Sequence, residues 1–408
     1  MVMKWATSIY GPDNLSENEE GLTLAIQTCA KEIKSKISDH PITFLTGFVS
    51  THFKSLYEKI PGLIGEALNP EVFIGCSAGG LIGGGREIEN KPCLALTAAY
   101  LPNVTALPFY VDDKELPDLD ASQEEWKKLV GVEQVDEAPY MVVIPDPFTF
   151  NTDAFIRGLD FAYPDSVKIG GLASGAQRAF QNALFLNEKV FNRGLVGLVL
   201  NGDLIVDTVV AQGCKPIGKT FTVTKSNKNI LFELDEKPAI MALKEVLDGL
   251  KETDRKLIKE SVFLGIAMNE LKDDFKHGDF LVRNIIGIEP RSGAIVVGEL
   301  LTNQKTVQFH VRDAASSADD LRALLKQYRD NSLEGGKHQA SGALLFSCLG
   351  RGEHLYKRAN HDSDCFRSYL GPVPIGGFFC NGEIGPLSNQ TFLHGYTSSF
   401  GIFRENRK

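Results

Sequence analysis

The apolar positions of the chain recur with two different periods, and the alternation of these periods predicts a mixed α/β fold. Between residues 16 and 37 the apolar residues keep a helical spacing, and Ser16-x-x-Glu19 before them predicts a capping box. The residues expected on the buried face of this helix are Leu22, Ile26, Cys29, Ile33 and Ile37. The segment PITFLTGFVS then predicts a buried strand, and the helix after it is interrupted near Pro61. A short strand over 72–75 completes a β-α-β unit, whose two strands we expect to be parallel.

The same alternation continues to the end of the chain. YMVVIPDPF and VKIGGLASG predict strands on either side of a helix, TDAFIRGLDFAY, and a hairpin turns near Asn187. Further on, Pro238 opens a helix, SADDLRALLKQYRD predicts another, and GALLFSCLGRG predicts a buried strand that enters a glycine turn. The chain therefore carries strands and helices in alternation over both of its halves.

Three segments of the first half correspond, in the same order, to three segments of the second half. YMVVIPDP, KIGGLASG and VFNRGLVGLVL lie about 200–206 residues before ALLFSCLG, PIGGFFCNG and TFLHGYTSSFGIF. This spacing predicts an internal duplication that produced two related, layered α/β domains with mixed sheets. The alternative is a chance alignment of glycine-rich strands. We place an N-terminal domain at residues 1–235 and a C-terminal domain at 236–408.

Composition and charge narrow the classes of partner. The chain has 408 residues, a net charge of −9 and 43% hydrophobic residues, which is typical of a globular protein of two domains. The negative charge argues against nucleic acid as a partner, and no apolar run approaches the ~20 residues of a membrane helix. The seven cysteines lack a CxxC pair, and the N-terminus lacks the apolar stretch of a signal peptide. We therefore expect a cytoplasmic protein with reduced thiols and without membrane insertion.

The segment GPVPIGGFFCNGEIGP surrounds a thiol, an amide and a carboxylate with glycine, which marks a close approach of backbone or of a ligand. Glu383 would bind an ammonium group, Asn381 would bridge a donor and an acceptor, and Arg351 would bind a carboxylate with two hydrogen bonds. Together they predict a site for an amino acid or a similar zwitterion. Cys380 is a weak candidate for a catalytic thiol, because such a thiol needs positive charge nearby. The alternatives are a thiol that lines the ligand site and a cysteine that only packs in the core.

The segment GCSAGGLIGGG follows a predicted strand and contains the spacing G-x-S-x-G, which makes Ser77 a weak candidate nucleophile. The residues after it form a poor helix, no histidine and acid follow in hydrolase order, and the lysine of a P-loop is missing. We favour a glycine turn whose backbone N–H groups hold a ligand, with a purely structural turn as the alternative. The ligand-binding candidates in the first half are Gly75, Cys76, Ser77, Gly79, Gly171 and Ser174.

A zinc site would need ligands such as Cys348, His354, His361 and Cys365. Their spacing, however, lacks the close pairs that structural zinc sites have. We interpret the segment HDSDC as a polar surface loop. The sequence predicts neither a metal nor a cofactor.

Several segments resemble the FIST family, whose name stands for F-box and intracellular signal transduction. Blocks of the FIST N domain are resembled by four segments, GCSAGGLIGGG, IGGLAS, GLVGLVLNGD and QGCKPIG. The FIST C domain is resembled by two more, GALLFSCLGRG and PIGGFFCNGEIGP. The resemblance extends from about Ile42 to Phe400 and shows no attached output domain, so we expect a stand-alone FIST protein. It implies a sensory module that binds a small ligand and passes the signal to a protein partner.

Three functions follow from these observations. The first is a sensor without catalysis that holds its ligand in a cleft between the two domains, and we favour it because no catalytic constellation is complete. The second is a hydrolase or transferase that depends on Cys380 or Ser77. The third is a protein-interaction scaffold, which would expose an apolar patch instead of a deep pocket.

Overall fold

The computed structural model describes residues 2–132, 138–250, 262–270, 272, 274–275, 278–334, 339–387 and 389–406. Its fold is mixed α/β with several mixed sheets, as the alternating periods predict. Among the described residues, no helix combines the length and the apolar character needed to cross a membrane.

The strands of the first half of the chain are β1 (Lys4–Tyr10), β2 (Phe44–Ser50), β3 (Phe73–Ala78), β4 (Gly80–Gly83), β5 (Arg86–Glu89), β6 (Leu94–Tyr100), β7 (Val104–Val111), β8 (Tyr140–Pro145), β9 (Lys168–Gly171), β10 (Leu184–Leu186), β11 (Lys189–Phe191) and β12 (Leu195–Gly202). The later strands are β13 (Leu204–Gln212), β14 (Cys214–Asn227), β15 (Ile230–Leu234), β16 (Lys237–Pro238), β17 (Val262–Ala267), β18 (Phe280–Ile288), β19 (Ile295–Val297), β20 (Thr306–Arg312), β21 (Gly342–Cys348), β22 (Ile375–Cys380), β23 (Glu383–Leu387), β24 (Gln390–His394) and β25 (Thr397–Glu405). The α-helices are α1 (Glu19–Ile37), α2 (Ile60–Leu68), α3 (Gln123–Leu129), α4 (Thr152–Ala162), α5 (Ala239–Asp248), α6 (Ala314–Glu334), α7 (Gly352–Tyr356) and α8 (His361–Leu370), and the 3-10 helices are Thr51–Lys59 and Asp113–Glu115.

The chain forms two compact units. The first comprises Met1–Val210, Ala323–Leu393 and Thr397–Lys408, and the second comprises Ala211–Arg322 and His394–Tyr396. The units do not follow the two halves of the sequence, because strands from both halves share sheets in the first unit. The domain limits at residues 235 and 236 stay a prediction.

The first unit contains three six-stranded sheets with the same internal order. They run β1-β6-β2-β3-β10-β11, β7-β12-β8-β9-β23-β24 and β13-β25-β21-β22-β4-β5. At the centre of each sheet lies a parallel pair, β2 with β3, β8 with β9 and β21 with β22, whose strands are joined by helices. An antiparallel strand, β6, β12 or β25, flanks the first member of each pair.

Each sheet is completed by a hairpin that comes from elsewhere in the sequence. The hairpin β4–β5 follows β3 along the chain but joins β22 in the third sheet. In the same way β10–β11 follows β9 but joins β3, and β23–β24 follows β22 but joins β9. The segments matched across the two halves do occupy corresponding positions in the second and third sheets. The first sheet repeats the same order, so the arrangement is threefold, and the predicted twofold duplication is not confirmed.

Apolar side chains pack between the sheets of the first unit and beneath its helices. Ile74, Val142 and Phe346, one from each parallel pair, share a single buried cluster. The helix α1 buries the predicted face of Leu22, Ile26, Cys29, Ile33 and Ile37 against the first sheet. Its N-cap is Asn18, whose Oδ1 accepts from the N–H of Gly21 at 3.0 Å, so the predicted capping box at Ser16 is wrong: the helix begins at Glu19, too late for Ser16 to cap it.

The second unit is a seven-stranded antiparallel sheet, ordered β14-β20-β17-β18-β19-β15-β16. The sheet closes on itself because β14 pairs with β15 as well as with β20. Phe221, Leu264 and Phe309 fill its interior, and α5 packs onto them through Ala242 and Val246. The helix α5 starts directly after Pro238, as predicted.

Candidate functional site

The carboxyl ends of β3, β9 and β22 meet inside the first unit. The N–H of Ser174 donates to the carbonyl oxygen of Ser77 at 3.3 Å. The hydroxyl of Ser174 accepts from the N–H of Gly79 at 3.0 Å and donates to the carbonyl oxygen of Phe379. The single side chain of Ser174 thus joins the ends of all three parallel pairs. The structure therefore brings together the predicted site residues of the glycine-rich segments from both halves.

Partly exposed residues cover this junction, and we call them the axial surface: Thr51, Gly79, Gly175, Leu349 and Asn381. A Cβ atom on Gly79 would lie 2.8 Å from Cδ2 of Leu349, and one on Gly175 would lie 2.4 Å from Cγ2 of Thr51. The amide of Asn381 is exposed and donates through Nδ2 to the carbonyl oxygen of Ala173 at 3.3 Å. The axial surface therefore lies at the ends of β2, β3, β9, β21 and β22. The N–H groups of Gly79, Leu349 and Asn381 donate to Ser174, Cys380 and Leu172.

Glycines within the strands allow the backbone of a neighbouring strand to come close. A Cβ atom on Gly75 would lie 1.8 Å from the carbonyl oxygen of Gly47, and one on Gly377 would lie 1.8 Å from that of Leu345. Only glycine fits at such distances. Gly75, Cys76 and Gly171, which we considered as ligand-binding residues, are buried in the sheets. Within the segment GCSAGGLIGGG, residues 80–83 form strand β4, and the glycine turn lies after that strand, at Gly84 and Gly85, which both have a positive φ.

Ser77 lies in a buried chain of polar side chains. Its hydroxyl accepts from the N–H of Ala183 at 3.0 Å and donates to Oδ1 of Asn182 at 3.3 Å, and Nδ2 of Asn182 donates to Asp146 at 2.8 Å. The order resembles a Ser-His-Asp triad with an amide in the place of the imidazole. An amide nitrogen has no basic lone pair, so Asn182 cannot take the proton from Ser77. Since a strand instead of a helix follows, the nucleophile elbow is absent as well.

Cys380 and Glu383 are fully buried and face each other. The thiol of Cys380 donates to the carbonyl oxygen of Ser347 at 3.3 Å and lies 3.5 Å from Oε1 of Glu383. Burial, followed by the charge of Glu383, raises the pKa of the Cys380 thiol well above its ordinary value. Oε2 of Glu383 accepts from the N–H and the hydroxyl of Thr397 at 2.9 and 2.7 Å, and burial raises the pKa of Glu383 to about 7. The thiol form of Cys380 is therefore the stable one at neutral pH.

Arg351 forms a buried ion pair with Asp362. Its Nε and Nη2 donate to Oδ2 and Oδ1 of Asp362 at 3.0 and 3.1 Å. Asp362 also accepts from the hydroxyls of Ser347 and Ser398, and Nδ1 of His361 lies 2.8 Å from its Oδ1. Burial alone would raise the pKa of Asp362, but the Arg351 charge and these hydrogen bonds hold that pKa well below its ordinary range. The carboxylate that we predicted Arg351 to bind is thus supplied by Asp362.

The segment that contains Asp362 is helical, so the predicted polar surface loop is wrong. His361, Asp362 and Cys365 are buried within α8, because the Arg351 guanidinium and the serine hydroxyls satisfy the carboxylate inside the protein. Among the described residues, no group of three or more His, Cys, Asp or Glu is arranged to hold a metal ion.

A third acid, Glu87 of β5, lies against the first turn of α8. Its Oε1 accepts from the N–H of Ser363 at 2.7 Å, whereas its buried Oε2 has no hydrogen-bond partner among the described residues. Burial, followed by the charge of Asp362, raises the pKa of Glu87 to about 8. Glu87 is therefore protonated at neutral pH, beside an Asp362 that is ionised.

The sequence reasoning missed Asp146 and Asn182, which extend the hydrogen bonds of Ser77, and Asp362 and Glu87, which lie in a second buried cluster with Arg351. Asp146 had a visible signal, because it directly follows a buried strand in IPDP. Glu87 and Asn182 had none, because each belongs to a hairpin or a loop that joins a sheet distant in sequence.

The fold and the site define a class of mixed α/β proteins in which segments from both halves of the chain share sheets and meet at the carboxyl ends of their strands. Family models match the FIST N domain over residues 43–237 and the FIST C domain over residues 239–386. The chain therefore belongs to the FIST family, which is associated with sensory roles in signal transduction.

Mycobacterial relatives are similar over most of the chain. An uncharacterized protein of Mycobacterium tuberculosis is 34% identical over 339 residues, which cover 83% of this chain and 85% of that protein. An F-box/LRR-repeat protein of Arabidopsis thaliana is 23% identical and covers 65% of this chain and 58% of its own length. Among solved structures, cyanuric acid hydrolase from A. caulinodans covers 99% of this chain and 100% of its own at 8% identity, with a TM-score of 0.36. A similarity this low says nothing about activity.

Proposed function

We propose that this protein is a sensory module that binds a small polar ligand at the axial surface. The observation that carries the proposal is the meeting of the carboxyl ends of three parallel strand pairs at one place. Ligands of open α/β sheets bind outside the carboxyl ends of the strands. The family association with signal transduction supports the same reading.

The five residues of the axial surface carry no charged side chain. Asn381 and Gly175 are exposed, and Gly79 is partly exposed with its N–H bonded to Ser174. Arg351 and Glu383 are already satisfied by Asp362 and Thr397. A zwitterion would have to displace these internal partners, which is costly for buried charges. We therefore propose a ligand recognised through neutral donors and acceptors.

The catalytic alternatives lack the chemistry that they require. Ser77 has an amide where a base is needed, and the raised pKa of Cys380 disfavours a thiolate. We also propose that the protein works in the cytoplasm, because none of its seven cysteines forms a disulfide. A protein partner in signalling is part of the proposal, supported by relatives whose names contain F-box.

Native mass spectrometry of freshly purified protein tests the proposed site. We expect a bound small molecule on the wild type, and its loss from Asn381→Ala. Asn227→Ala is the matched control, because Asn227 is an exposed asparagine on β14 of the second unit. Equal occupancy in both variants would contradict the axial site.

Calorimetry across the twenty amino acids tests the zwitterion hypothesis separately. We expect no heat of binding, because Arg351 and Glu383 have internal partners. Saturable heat from any amino acid, abolished in Arg351→Met, would restore that hypothesis.

A further inference from the structure

A cavity of 280 Å³ lies beside the turn that joins β4 to β5, at the end of β4 away from Gly79. It shares no residue with the axial surface. Two of its lining residues are cations, Lys36 of α1 and Arg367 of α8, and none is acidic. Because the chain as a whole carries a net charge of −9, a cavity lined by positive charge alone favours an anionic ligand.

A series of hydrogen bonds holds the two cations at this turn. Nζ of Lys36 donates to the carbonyl oxygen of Thr7 at 3.4 Å, and Oγ1 of Thr7 accepts from the N–H of Gly84 at 2.9 Å. Nη2 of Arg367 donates to the carbonyl oxygen of Gly85 at 2.9 Å. The ammonium and the guanidinium are therefore held close together, through Thr7 and two consecutive glycines.

The guanidinium of Arg367 packs directly on Gly85. A Cβ atom at position 85 would lie 1.7 Å from Nη2 of Arg367, and the φ of Gly85 is +74°. Asparagine also tolerates a positive φ, so the contact with Arg367 is the stricter reason for glycine here. Any side chain at this position would displace the guanidinium from its place in the lining.

Neither cation of the cavity forms an ion pair with a carboxylate of the described residues. Asp364, one turn before Arg367 in α8, pairs with Arg358 instead. Glu32, one turn before Lys36 in α1, accepts from a serine hydroxyl of β1. Both positive charges are therefore left without an internal counterion, unlike the buried pair of Arg351 and Asp362.

The hydroxyl of Thr7 adds a buried donor to the same lining. Thr7 is only 3% exposed, and its Oγ1 accepts from Gly84 but donates to no acceptor among the described residues. Guanidinium and ammonium groups likewise donate and never accept. The polar side chains of the cavity thus offer a ligand hydrogen-bond donors and two positive charges.

We propose that this cavity binds a small phosphate monoester. Such a group carries nearly two negative charges at neutral pH and has three acceptor oxygens, which match two cations and a hydroxyl donor. Pockets for drug-sized ligands usually measure about 300–1,000 Å³, so this cavity has room for only a short organic part. Phe366, Val373 and Ile375 are apolar residues of the lining, against which that part would pack. The site is independent of the proposed function at the axial surface.

Phosphorus NMR titration of the full chain with phenyl phosphate tests this site. We expect saturable binding to the wild type, and binding weaker by about tenfold or more in Arg367→Gln and in Lys36→Gln, because each loses a charged donor. Both side chains are exposed, so neither substitution should change thermal unfolding. Arg157→Gln and Lys34→Gln remove exposed cations outside the cavity, on α4 and α1, and should leave binding unchanged.

Benzoate is the matched probe with the same ring and a single charge, and we expect it to bind about fivefold or more weakly than phenyl phosphate. Absence of phenyl phosphate binding to the wild type, equal binding of benzoate, or an equal loss in the control variants would each overturn the site. Asn381→Ala should leave phenyl phosphate binding unchanged. A loss in that variant would assign phenyl phosphate to the axial surface, which overturns this site and leaves the proposed function standing.

Discussion

Glu87 allows a sharp test of the buried cluster around Arg351, through the pH dependence of stability. Its pKa in the folded protein is about 8, raised first by burial and then by Asp362, whereas an unfolded glutamate has a pKa near 4.3. Between these values the folded protein keeps a proton that the unfolded chain releases, so stability falls as the pH rises. One such proton lowers the free energy of unfolding by about 1.4 kcal/mol per pH unit. Glu87→Gln stays uncharged and removes this loss.

The free energy of unfolding of Glu87→Gln, relative to wild type, should therefore rise by about 3 kcal/mol from pH 5 to pH 7. Urea unfolding followed by tryptophan fluorescence measures it, because the two tryptophans of the chain, Trp5 and Trp126, are both buried in the first unit. Glu188→Gln, at an exposed position, should show no such trend. A difference between Glu87→Gln and wild type that changes by less than about 0.5 kcal/mol over this range would refute the reasoning.

Three further predictions concern the same unit. Arg351→Met leaves Asp362 buried without its cation, so it should lower the free energy of unfolding, measured in urea, by about 3–5 kcal/mol. The double variant Arg351→Met/Asp362→Asn should recover part of this loss, and a loss below about 1 kcal/mol in the single variant would speak against the ion pair. Gly75→Ala should prevent folding, as judged by circular dichroism, because its Cβ would lie 1.8 Å from a carbonyl oxygen. Gly62→Ala, at a position in α2 with open space around it, should instead raise the free energy of unfolding by up to about 1 kcal/mol. Cys380 should resist iodoacetamide at pH 7 until urea unfolds the protein, and mass spectrometry that finds it labelled in the native state would contradict its burial and raised pKa.

The sequence was sufficient for elements that depend on local pattern. The buried face of α1, the break near Pro61, the hairpin near Asn187 and the start of α5 after Pro238 all follow from periodicity or turn chemistry. The parallel pairing of β2 with β3 also follows, because a helical connection joins two buried strands.

Local sequence patterns did not predict contacts between segments that are distant in the sequence. The segment HDSDC has the composition of a surface loop, and its burial depends on Arg351, which directly precedes α7, and on Ser398 of β25. Likewise GGLIGGG has the composition of a turn, but only Gly84 and Gly85 form one, and residues 80–83 form strand β4, which pairs with β22. Nothing in a single sequence states which hairpin joins which sheet, and the exchange of hairpins is what builds the candidate site.

The exchanged hairpins have a consequence for synthesis and inheritance. The hairpin β4–β5 leaves the ribosome early, but its partner β22 emerges only when nearly the whole chain has been made. Until then its paired edge is open, so the nascent chain is vulnerable to aggregation or dependent on a chaperone. A gene that kept the FIST N region and lost the FIST C region would encode a polypeptide that lacks β23 of the second sheet and β21 and β22 of the third. Such a polypeptide could complete only the first of the three sheets, and we expect evolution to retain or discard the two regions together.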